Sequence, residues 1–323
     1  MTEEKVQFIA WFIEKNQIDV LFLQDTQLSL ATAQWRKQEL KRELGEDVFI
    51  SSSAMEDSHL YTKVGGQMVI VSAKWARDIC DINRTDSSNT GLVMALYMKT
   101  KIGELMILST YWPYDSDMSG NGLAAGVKRW MDATNRKGTP REFVQDRIHC
   151  MMINQQTDSN NATILCGDFN SSYHKDKFVS EKIMKVSVEK GTMSETAKIV
   201  KGPKTVECKK TPFTMARATA AKAVEHKKTE MEKEILIQRS SQKSFEPWAS
   251  TCGFVNPIAD FCKAERHIIF TRYSGDYGTG FIDHILHFPL NITCTGFQTS
   301  NFSQWRLMSD HRPLIAEFQV FGG

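Results

Sequence analysis

The chain has 323 residues, of which 41% are hydrophobic, and its formal net charge at pH 7 is +2. A chain of this length and composition can bury a large core, and we expect a single domain spanning residues 1–323. The balanced charge excludes a disordered polyelectrolyte and a protein that binds nucleic acid through its overall charge. Any basic surface therefore has to be local.

The cysteines and the hydropathy pattern indicate the cellular compartment. The seven cysteines are widely spaced and form neither a Cys-x-x-Cys pair nor the Cys/His spacing of a zinc site, which is typical of reduced thiols. The N-terminus lacks the basic and apolar regions of a signal peptide, and no apolar run reaches the roughly eighteen residues of a membrane helix. We predict an intracellular protein, nuclear or cytoplasmic and not secreted, without a membrane partner.

The predicted elements mix helices and strands. Thr2 can cap a helix that ends near Asn16, and an almost wholly apolar run at 18–23 predicts a strand covered on both faces, with Asp25 just after it. Periodicity predicts helices at 35–44 and 143–155. Apolar runs rich in β-forming residues predict strands at 68–71, 92–98, 105–111, 163–166, 267–271, 281–288 and 314–321. This mixture predicts α/β layers, with sheets packed face to face and helices outside.

The segment 171–243 differs from the rest of the chain. It contains 17 Lys and Arg against 9 Asp and Glu, a net charge of +8, so the remainder carries −6. Positions 214–239 are rich in Ala, Lys, Glu and Met and predict a long exposed helix. One interpretation is a clamp for the DNA backbone. The other, which is the usual state of charge runs and the one we favour, is a solvated insertion within the domain.

The sharpest short motif is Gly-Asp-Phe-Asn at 167–170, directly after an apolar run. Asp168 and Asn170 are two residues apart at the end of a predicted strand, so both side chains point to one side of the backbone. A carboxylate can hold a water or a metal there, while an amide can donate to a phosphate oxygen. The alternative is an ordinary turn, because Gly, Asp and Asn all favour turns.

A second motif, Ser-Asp-His at 309–311, precedes the last predicted strand. Asp310 can supply a metal ligand and His311 a general base to the same phosphate, although a surface loop could have the same sequence. Asp283 lies among apolar residues in a predicted buried strand, where an unpaired carboxylate is rare. It can orient His311 as in a His-based triad, or satisfy a hydrogen bond in the core. His284 and His287 are interpreted as ordinary sheet residues.

Five motifs occur in a recognisable order along the chain: Leu-Gln-Asp-Thr at 23–26, Thr-Tyr-Trp-Pro at 110–113, Gly-Asp-Phe-Asn at 167–170, Ile-Asp-His-Ile-Leu at 282–286 and Ser-Asp-His at 309–311. In this order they resemble the endonuclease/exonuclease/phosphatase superfamily, and five short matches in sequence are far more specific than any one. The resemblance implies a layered α/β sandwich of two sheets flanked by helices, the deoxyribonuclease I-like fold.

Within the superfamily, two further stretches resemble the endonuclease domains of non-LTR (LINE-type) retrotransposons. They are Gly-Gly-Gln-Met-Val-Ile-Val at 65–71 and Phe-Thr-Arg-Tyr at 270–273. This resemblance implies that DNA is the partner and that the reaction is nicking of a target site. It leaves open whether the chain is part of a larger reverse-transcriptase polyprotein.

The resemblance also implies roles for individual residues of the site. Tyr111 contacts the scissile phosphate, while Asp168 and Asn170 position the nucleophilic water and the phosphate. His311, oriented by Asp283, acts as acid or base. These roles agree with elementary phosphoester chemistry, although Tyr111 taken alone would be interpreted as a core aromatic residue.

Asp25 and Asp310 are implied to hold Mg²⁺ or Mn²⁺, since one or two carboxylates suffice for a hard cation that polarises a phosphoryl oxygen. The chain departs from the family in two ways. Asp25 stands where the family has Glu, which shortens the reach by roughly 1.5 Å. The strand that precedes the first helix in family members is absent. We expect both departures to lower activity.

The sequence therefore predicts a Mg²⁺-dependent endonuclease that hydrolyses DNA phosphodiester bonds. Two alternatives remain open. One is another phosphoesterase of the superfamily, such as an abasic-site nuclease or a small-molecule phosphatase. The other is an inactive remnant that binds nucleic acid through the basic segment.

Overall fold

The computed structural model of the chain describes residues 1–54, 65–80, 90–101, 103–113, 120, 122–156, 158–170, 248–257, 271–274, 277–280, 282–300, 305–306 and 308–321. Five helices and eleven strands lie within these residues, and residues 248–251 are also helical. The helices are α1 (Glu3–Asn16), α2 (Leu30–Leu44), α3 (Ala73–Ala76), α4 (Leu123–Ala133) and α5 (Pro140–Gln155). The strands are β1 (Val20–Gln24), β2 (Phe49–Ser53), β3 (Gln67–Val71), β4 (Val93–Lys99), β5 (Glu104–Tyr111), β6 (Ala162–Asp168), β7 (Arg272–Ser274), β8 (Tyr277–Gly280), β9 (Asp283–His287), β10 (Ile292–Thr299) and β11 (Leu314–Val320).

One four-stranded sheet carries much of the candidate site. Its strand order is β4-β5-β6-β9, with β5 and β6 parallel and the other two pairs antiparallel. Because β5 and β6 run in the same direction, their last residues lie at one end of the sheet. Strand β9 runs the opposite way, so its first residue lies at that same end. Tyr111, Asp168 and Asp283 are thereby brought together.

The opposing layer consists of two smaller sheets, β1-β3-β2 and β10-β11, which are both antiparallel. Val69 and Val71 of β3 and Ile292 of β10 join one hydrophobic cluster with Met94 and Leu96 of the four-stranded sheet. The two smaller sheets therefore pack on the same face of the larger one. Strands β7 and β8 form a separate hairpin.

Helices cover the outer faces of the β1-β3-β2 sheet and of the four-stranded sheet. Met68 and Ile70 of β3 pack with apolar residues of α1 and α2, whereas their neighbours Val69 and Val71 pack between the sheets. This alternation follows from the two-residue period of a strand. On the other side, α4 and α5 cover the four-stranded sheet. The layered α/β sandwich predicted from the sequence is confirmed.

Local signals explain where the helices begin and end. The Thr2 side chain accepts a hydrogen bond from the Lys5 amide at the start of α1, and Gln17 follows Asn16 in a left-handed conformation (φ 52°). Helix α5 begins with a capping box in which Thr139 and Glu142 exchange hydrogen bonds. These contacts satisfy amides that a helix leaves unpaired at its first turn.

The prediction and the structure differ in specific places. The structure adds α3, α4, β2, β7, β8 and β10, which were not predicted. The predicted strand at 267–271 lies outside the described residues except for Thr271, which belongs to no strand, and the basic segment 171–243 lies outside them entirely. None of the helices in the described ranges is long and apolar enough to cross a membrane. A single domain remains a prediction.

Candidate active site

Strand pairing places three of the predicted site residues side by side. Asp168, the last residue of β6, is the register partner of Tyr111 at the end of β5 and of Asp283 at the start of β9. Both pairs are neighbours across adjacent strands, and in an antiparallel pair such as Asp168 and Asp283 the Cα atoms lie roughly 4.5–5.5 Å apart. Two carboxylates and a phenol therefore converge at one end of the sheet.

The approach of β6 to β5 at this end depends on Gly167. Its φ is 141°, and a Cβ atom added there would collide with the backbone carbonyl oxygen of Thr110. A side chain would therefore force the two strands apart just before Asp168. The Gly of the Gly-Asp-Phe-Asn motif is explained by this close contact, beside its turn-forming tendency.

The turn after β6 fixes Asp168 and Asn170 against each other. Oδ1 of Asp168 accepts a hydrogen bond of 2.8 Å from the backbone amide of Asn170. The side-chain Nδ2 of Asn170 donates to the backbone carbonyl oxygen of Trp112 at 2.6 Å. Asn170 has a φ of 45°, a conformation that Asn tolerates better than most residues. Both side chains are buried. The motif therefore forms a turn, and this turn holds the Asp168 carboxylate in a fixed position.

His311 and Asp283 form a hydrogen-bonded pair next to Asp168. Nδ1 of His311 lies 2.9 Å from Oδ2 and 3.1 Å from Oδ1 of Asp283, and since an ionised carboxylate only accepts, Nδ1–H is the donor. The Thr271 hydroxyl oxygen accepts bonds from the amides of Ile282 and Asp283, which anchors the start of β9. The position of the His311 segment is set in turn by a bond from the Arg312 amide to the Thr271 carbonyl oxygen.

The pKa values of Asp168 and His311 are shifted strongly from their ordinary values. Burial, and then the charge of Asp283, raise the pKa of Asp168 to about 7, against the lowering effects of His311, the Asn170 amide and Arg272. Burial alone would lower the pKa of His311. The charge and hydrogen bond of Asp283, helped by Asp168 and Asp310, outweigh burial and raise that pKa to about 10. Perturbed pKa values of this kind are concentrated at functional sites.

Asp25 is held by a loop contact on the other side of the site. It follows β1 with a φ of 48°, and its Oδ1 accepts a hydrogen bond of 2.6 Å from the Gly65 amide. The Gly65 and Gly66 carbonyl oxygens accept bonds from the Gln27 and Thr26 amides. The Gly-Gly pair singled out in the sequence therefore holds the loop that presents Asp25.

Asp310 is the most exposed of the predicted site residues, with 62% of its side chain accessible, and Nε of Arg272 lies 3.7 Å from its Oδ2. Arg272 was not predicted as a site residue, although it belongs to the Phe-Thr-Arg-Tyr stretch at 270–273. Its backbone also pairs with His311 in an isolated bridge. Strand pairing, which the sequence did not reveal, places this arginine at the site.

A buried chain of polar side chains lies beneath the site and was also missed by the sequence analysis. Nε2 of Gln24 donates to the Ser109 hydroxyl at 2.8 Å, and that hydroxyl donates to Oε1 of Gln67 at 2.6 Å. Nε2 of Gln67 donates to the Gly91 carbonyl oxygen. Fully satisfied buried networks fix side chains in one arrangement. This network ties the end of β1, and so Asp25, to the four-stranded sheet.

All seven predicted site residues line one cavity of about 560 Å³. They are Asp25, Tyr111, Asp168, Asn170, Asp283, Asp310 and His311. Within the described residues, the side chains that come close enough to share a metal ion are Asp168, Asp283 and His311, whose ligand atoms lie within 4.8 Å of one another. The predicted metal pair, Asp25 and Asp310, lies on the same cavity but outside this close group.

Comparison with known proteins identifies the fold. No model of a protein family and no curated protein matches the sequence. The Neisseria protein NExo matches in structure, once as a 3′ phosphatase bound to a product DNA hairpin and once as a 3′-5′ exonuclease of Neisseria meningitidis. The TM-scores are 0.53 and 0.52, at 12% identity over 98% of this chain and 94% of that one. The human Nocturnin catalytic domain matches with a TM-score of 0.51, at 12% identity, over 99% of this chain and 87% of that one.

The endonuclease domain of TRAS1, a telomere-specific non-LTR retrotransposon, also matches, at 10% identity and a TM-score of 0.45, covering 99% of this chain and 92% of that domain. At that distance it does not distinguish between branches of the fold. The matches to NExo and Nocturnin show that the chain has a deoxyribonuclease I-like fold. The fold implied by the sequence resemblance is confirmed.

Proposed function

We propose that this protein is a metal-dependent endonuclease that hydrolyses DNA phosphodiester bonds at the cavity lined by Asp168, Asp283 and His311. One observation carries the proposal: the hydrogen-bonded pair of His311 and Asp283 lies beside a buried Asp168 whose pKa is raised to about 7. Paired titratable groups with displaced pKa values are what general acid–base catalysis at neutral pH requires.

Asp168 is the proposed base. Its pKa of about 7 lets it exchange a proton near neutral pH, and its Oδ1 is fixed by the Asn170 amide. In the proposed step it takes a proton from the attacking water while the water oxygen forms a bond to phosphorus. Asn170 and Tyr111 line the same cavity and are proposed to contact the phosphate oxygens.

His311 is the proposed acid. Its Nδ1–H is directed at Asp283, which leaves Nε2 to reach the phosphoester, and its raised pKa keeps the ring protonated at neutral pH. As the phosphorus–oxygen bond to the leaving group breaks, the proton on Nε2 passes to the departing oxygen. Asp283 acts through His311, because it fixes the ring and stabilises its positive charge.

The residues present fit a hard divalent cation. Four carboxylates, those of Asp25, Asp168, Asp283 and Asp310, line one cavity, and repulsion from Asp283 is among the causes that raise the pKa of Asp168. A cavity with such a surplus of carboxylate oxygens is suited to Mg²⁺ or Mn²⁺. We propose that Asp25 and Asp310 hold the ion. When bound, it would supply charge stabilisation for the developing negative charge on the phosphate.

DNA is the proposed substrate, and target-site nicking of the retrotransposon type is the proposed reaction. The DNA hairpin bound by NExo supports DNA as the substrate. The hydrogen bond from the Gly65 amide to Asp25 links the Gly-Gly stretch of the retrotransposon resemblance to a proposed site residue, which supports nicking. The 3′ phosphatase description of NExo favours a second candidate, a phosphomonoesterase acting on DNA ends.

Supercoiled plasmid separates these candidates, because a closed circle has no ends to trim or dephosphorylate. The protein is incubated with plasmid in Mg²⁺ and in EDTA, and release of inorganic phosphate from a 3′-phosphorylated oligonucleotide is followed in parallel. Open circles that form only with Mg²⁺ are expected. Phosphate release without nicking would favour the phosphatase function over the endonuclease function. If a folded protein gives neither open circles nor phosphate, both proposed functions are refuted.

A further inference from the structure

Arg272 lies in the active-site cavity but has no part in the proposed proton transfers. Its side chain lines the cavity together with the carboxylates of Asp25, Asp168, Asp283 and Asp310, and only 19% of it is accessible. Withdrawing a cation from water is costly unless an anion compensates for it. A guanidinium kept at this depth therefore requires a partner of opposite charge.

The backbone holds Arg272 directly opposite His311. The two residues pair in an isolated antiparallel bridge, and the Arg312 amide donates to the Thr271 carbonyl oxygen at 2.7 Å. Residues that face each other across antiparallel strands project their side chains to the same side. The guanidinium is therefore placed to reach the phosphoester on which His311 is proposed to act.

The positive charge of Arg272 also acts on the proposed base. Burial and the charge of Asp283 raise the pKa of Asp168 to about 7, and Arg272 is among the groups that oppose this rise. The charge of Arg272 is thus felt at Asp168, while its backbone is paired with His311. A phosphate held between the proposed acid and base lies within the influence of this cation.

The contact between Arg272 and Asp310 is loose. Nε of Arg272 lies 3.7 Å from Oδ2 of Asp310, and 62% of the Asp310 side chain is accessible. This distance exceeds the range of roughly 2.7–3.2 Å that is usual for an N–H···O hydrogen bond. Ion pairs with an exposed partner contribute little to stability. Asp310 can therefore give up Arg272 with little cost to the fold.

Asp310 is also a proposed ligand of the divalent ion, so the ion and the guanidinium compete for one carboxylate. When the ion takes this carboxylate, its charge repels Arg272, and a bound phosphate becomes the anion that can compensate for the guanidinium. The planar fork of N–H donors in arginine matches two phosphate oxygens. The chemistry of the group therefore suits the exchange of a carboxylate for a phosphate.

We infer that Arg272 is a phosphate-binding residue whose partner depends on the ion. Without the ion, its guanidinium pairs with Asp310. With the ion on Asp310, it donates to the non-bridging oxygens of the scissile phosphate. The inference rests on the proposed function, because it takes the same phosphate and the same ion ligand. It adds that ion and DNA strengthen each other's binding through Arg272.

The test compares DNA binding by the wild type, Arg272→Gln and Arg272→Lys with and without an ion. Fluorescence anisotropy of a labelled duplex of about 20 base pairs gives the Kd in EDTA and in Ca²⁺, a hard cation that takes oxygen ligands, at one ionic strength. Electrophoresis confirms that the duplex stays intact. Arg272→Gln should weaken binding at least about tenfold in Ca²⁺ but less than about twofold in EDTA, where Asp310 holds Arg272. Arg272→Lys keeps the charge without the fork and should lose roughly threefold in Ca²⁺.

Two further variants separate the exchange of partners from a general effect of charge. Arg42→Gln, at a residue of α2 that is 68% exposed and lies outside the cavity, should change neither Kd. Asp310→Asn removes the charge that holds Arg272. In that background, Arg272→Gln should therefore weaken binding about tenfold in EDTA as well.

Equal losses for Arg272→Gln in EDTA and in Ca²⁺ would indicate a structural or through-space effect and would overturn the inference. Unchanged affinity of Arg272→Gln in Ca²⁺ would also overturn it. If Arg272→Gln does not fold, Arg272→Lys decides, and full affinity of that variant in Ca²⁺ overturns the inference. A folded wild type that binds no DNA in Ca²⁺ would instead overturn the proposed function, and this inference with it.

Discussion

Nδ1 of His311 donates a hydrogen bond of 2.9 Å to Oδ2 of Asp283, and the two residues come from different strand environments. Asp283 begins β9 in the four-stranded sheet, while His311 precedes β11 in the opposing layer. The pair therefore joins the two layers at the end of the sheet where Asp168 lies. The charge of Asp283 and its hydrogen bond explain why the pKa of His311 is raised although three-quarters of its side chain is buried.

Asp283→Asn should lower the pKa of His311. Burial already favours the neutral ring, and the charge of Asp283 and its hydrogen bond are the main opposing causes. Without that charge, the pKa should fall from about 10 towards the ordinary value of 6.5. NMR titration of the His311 ring measures this, with Asp47→Asn at an exposed aspartate as control. A pKa that stays near 10 in Asp283→Asn would show that the pair does not control the ring.

The stability of Asp168→Asn relative to the wild type should be greater at alkaline pH than at acid pH. Burial is the largest cause that raises the Asp168 pKa from 3.8 to about 7, so the folded state keeps a proton that the unfolded state has already lost. The stability of the wild type therefore falls as the pH rises from about 4 to about 7. The Asp168→Asn variant does not lose stability in this way, because an amide side chain has no proton to release in this range. The advantage of Asp168→Asn should grow by up to about 4 kcal/mol between pH 4 and pH 8. Urea unfolding at the two pH values tests the sign, and an advantage that shrinks with pH would contradict it.

Gly167→Ala should destabilise the fold by roughly 3–5 kcal/mol, because the added methyl meets the Thr110 backbone where β6 and β5 lie closest. Gly45→Ala is the matched control. Gly45 also has a positive φ, of 101°, but a Cβ there meets no atom within 4 Å. It should cost only about 1 kcal/mol. Equal losses in denaturant unfolding would show that backbone conformation, and not the strand contact, requires Gly167.

Several elements could be predicted because their signals are local. The cap at Thr2 and the apolar period of α1 are contained in one stretch of sequence, and the apolar runs of β3, β4 and β5 need no knowledge of their partners. Strand β2 was missed because its sequence is Phe-Ile-Ser-Ser-Ser, in which three small polar residues hide its pattern. Strand β10 contains Gly296 at a register shift, which interrupts its alternation.

The sequence likewise predicted some residues of the candidate site and missed others. The Gly-Asp-Phe-Asn and Ser-Asp-His motifs are short and contiguous, so their residues could be named from the sequence. Arg272 and the buried pair of Ser109 and Gln67 could not, because only the tertiary packing brings them to Asp310 and to Gln24. No local pattern marks a residue whose role depends on a partner 38 or more positions away.

Asp25→Asn should raise the Mg²⁺ concentration needed for half-maximal nicking, by about tenfold or more, while leaving stability unchanged. The amide oxygen can still accept the bond from the Gly65 amide, so the loop is kept while the charge is lost. Hard cations bind neutral amides less strongly than carboxylates. A Mg²⁺ titration of nicking measures the shift. An unchanged requirement would remove Asp25 from the proposed ion site.

The most direct test of the proposed site is the rate of plasmid nicking in Mg²⁺ by the wild type, Asp168→Ala, His311→Ala and the control Asp47→Ala, after each is shown to be folded. Asp168 and His311 are proposed to move the protons of the reaction, so each loss should slow nicking at least about 100-fold, whereas Asp47→Ala should match the wild type. Rates within about threefold of wild type for both Asp168→Ala and His311→Ala would contradict the proposed active site.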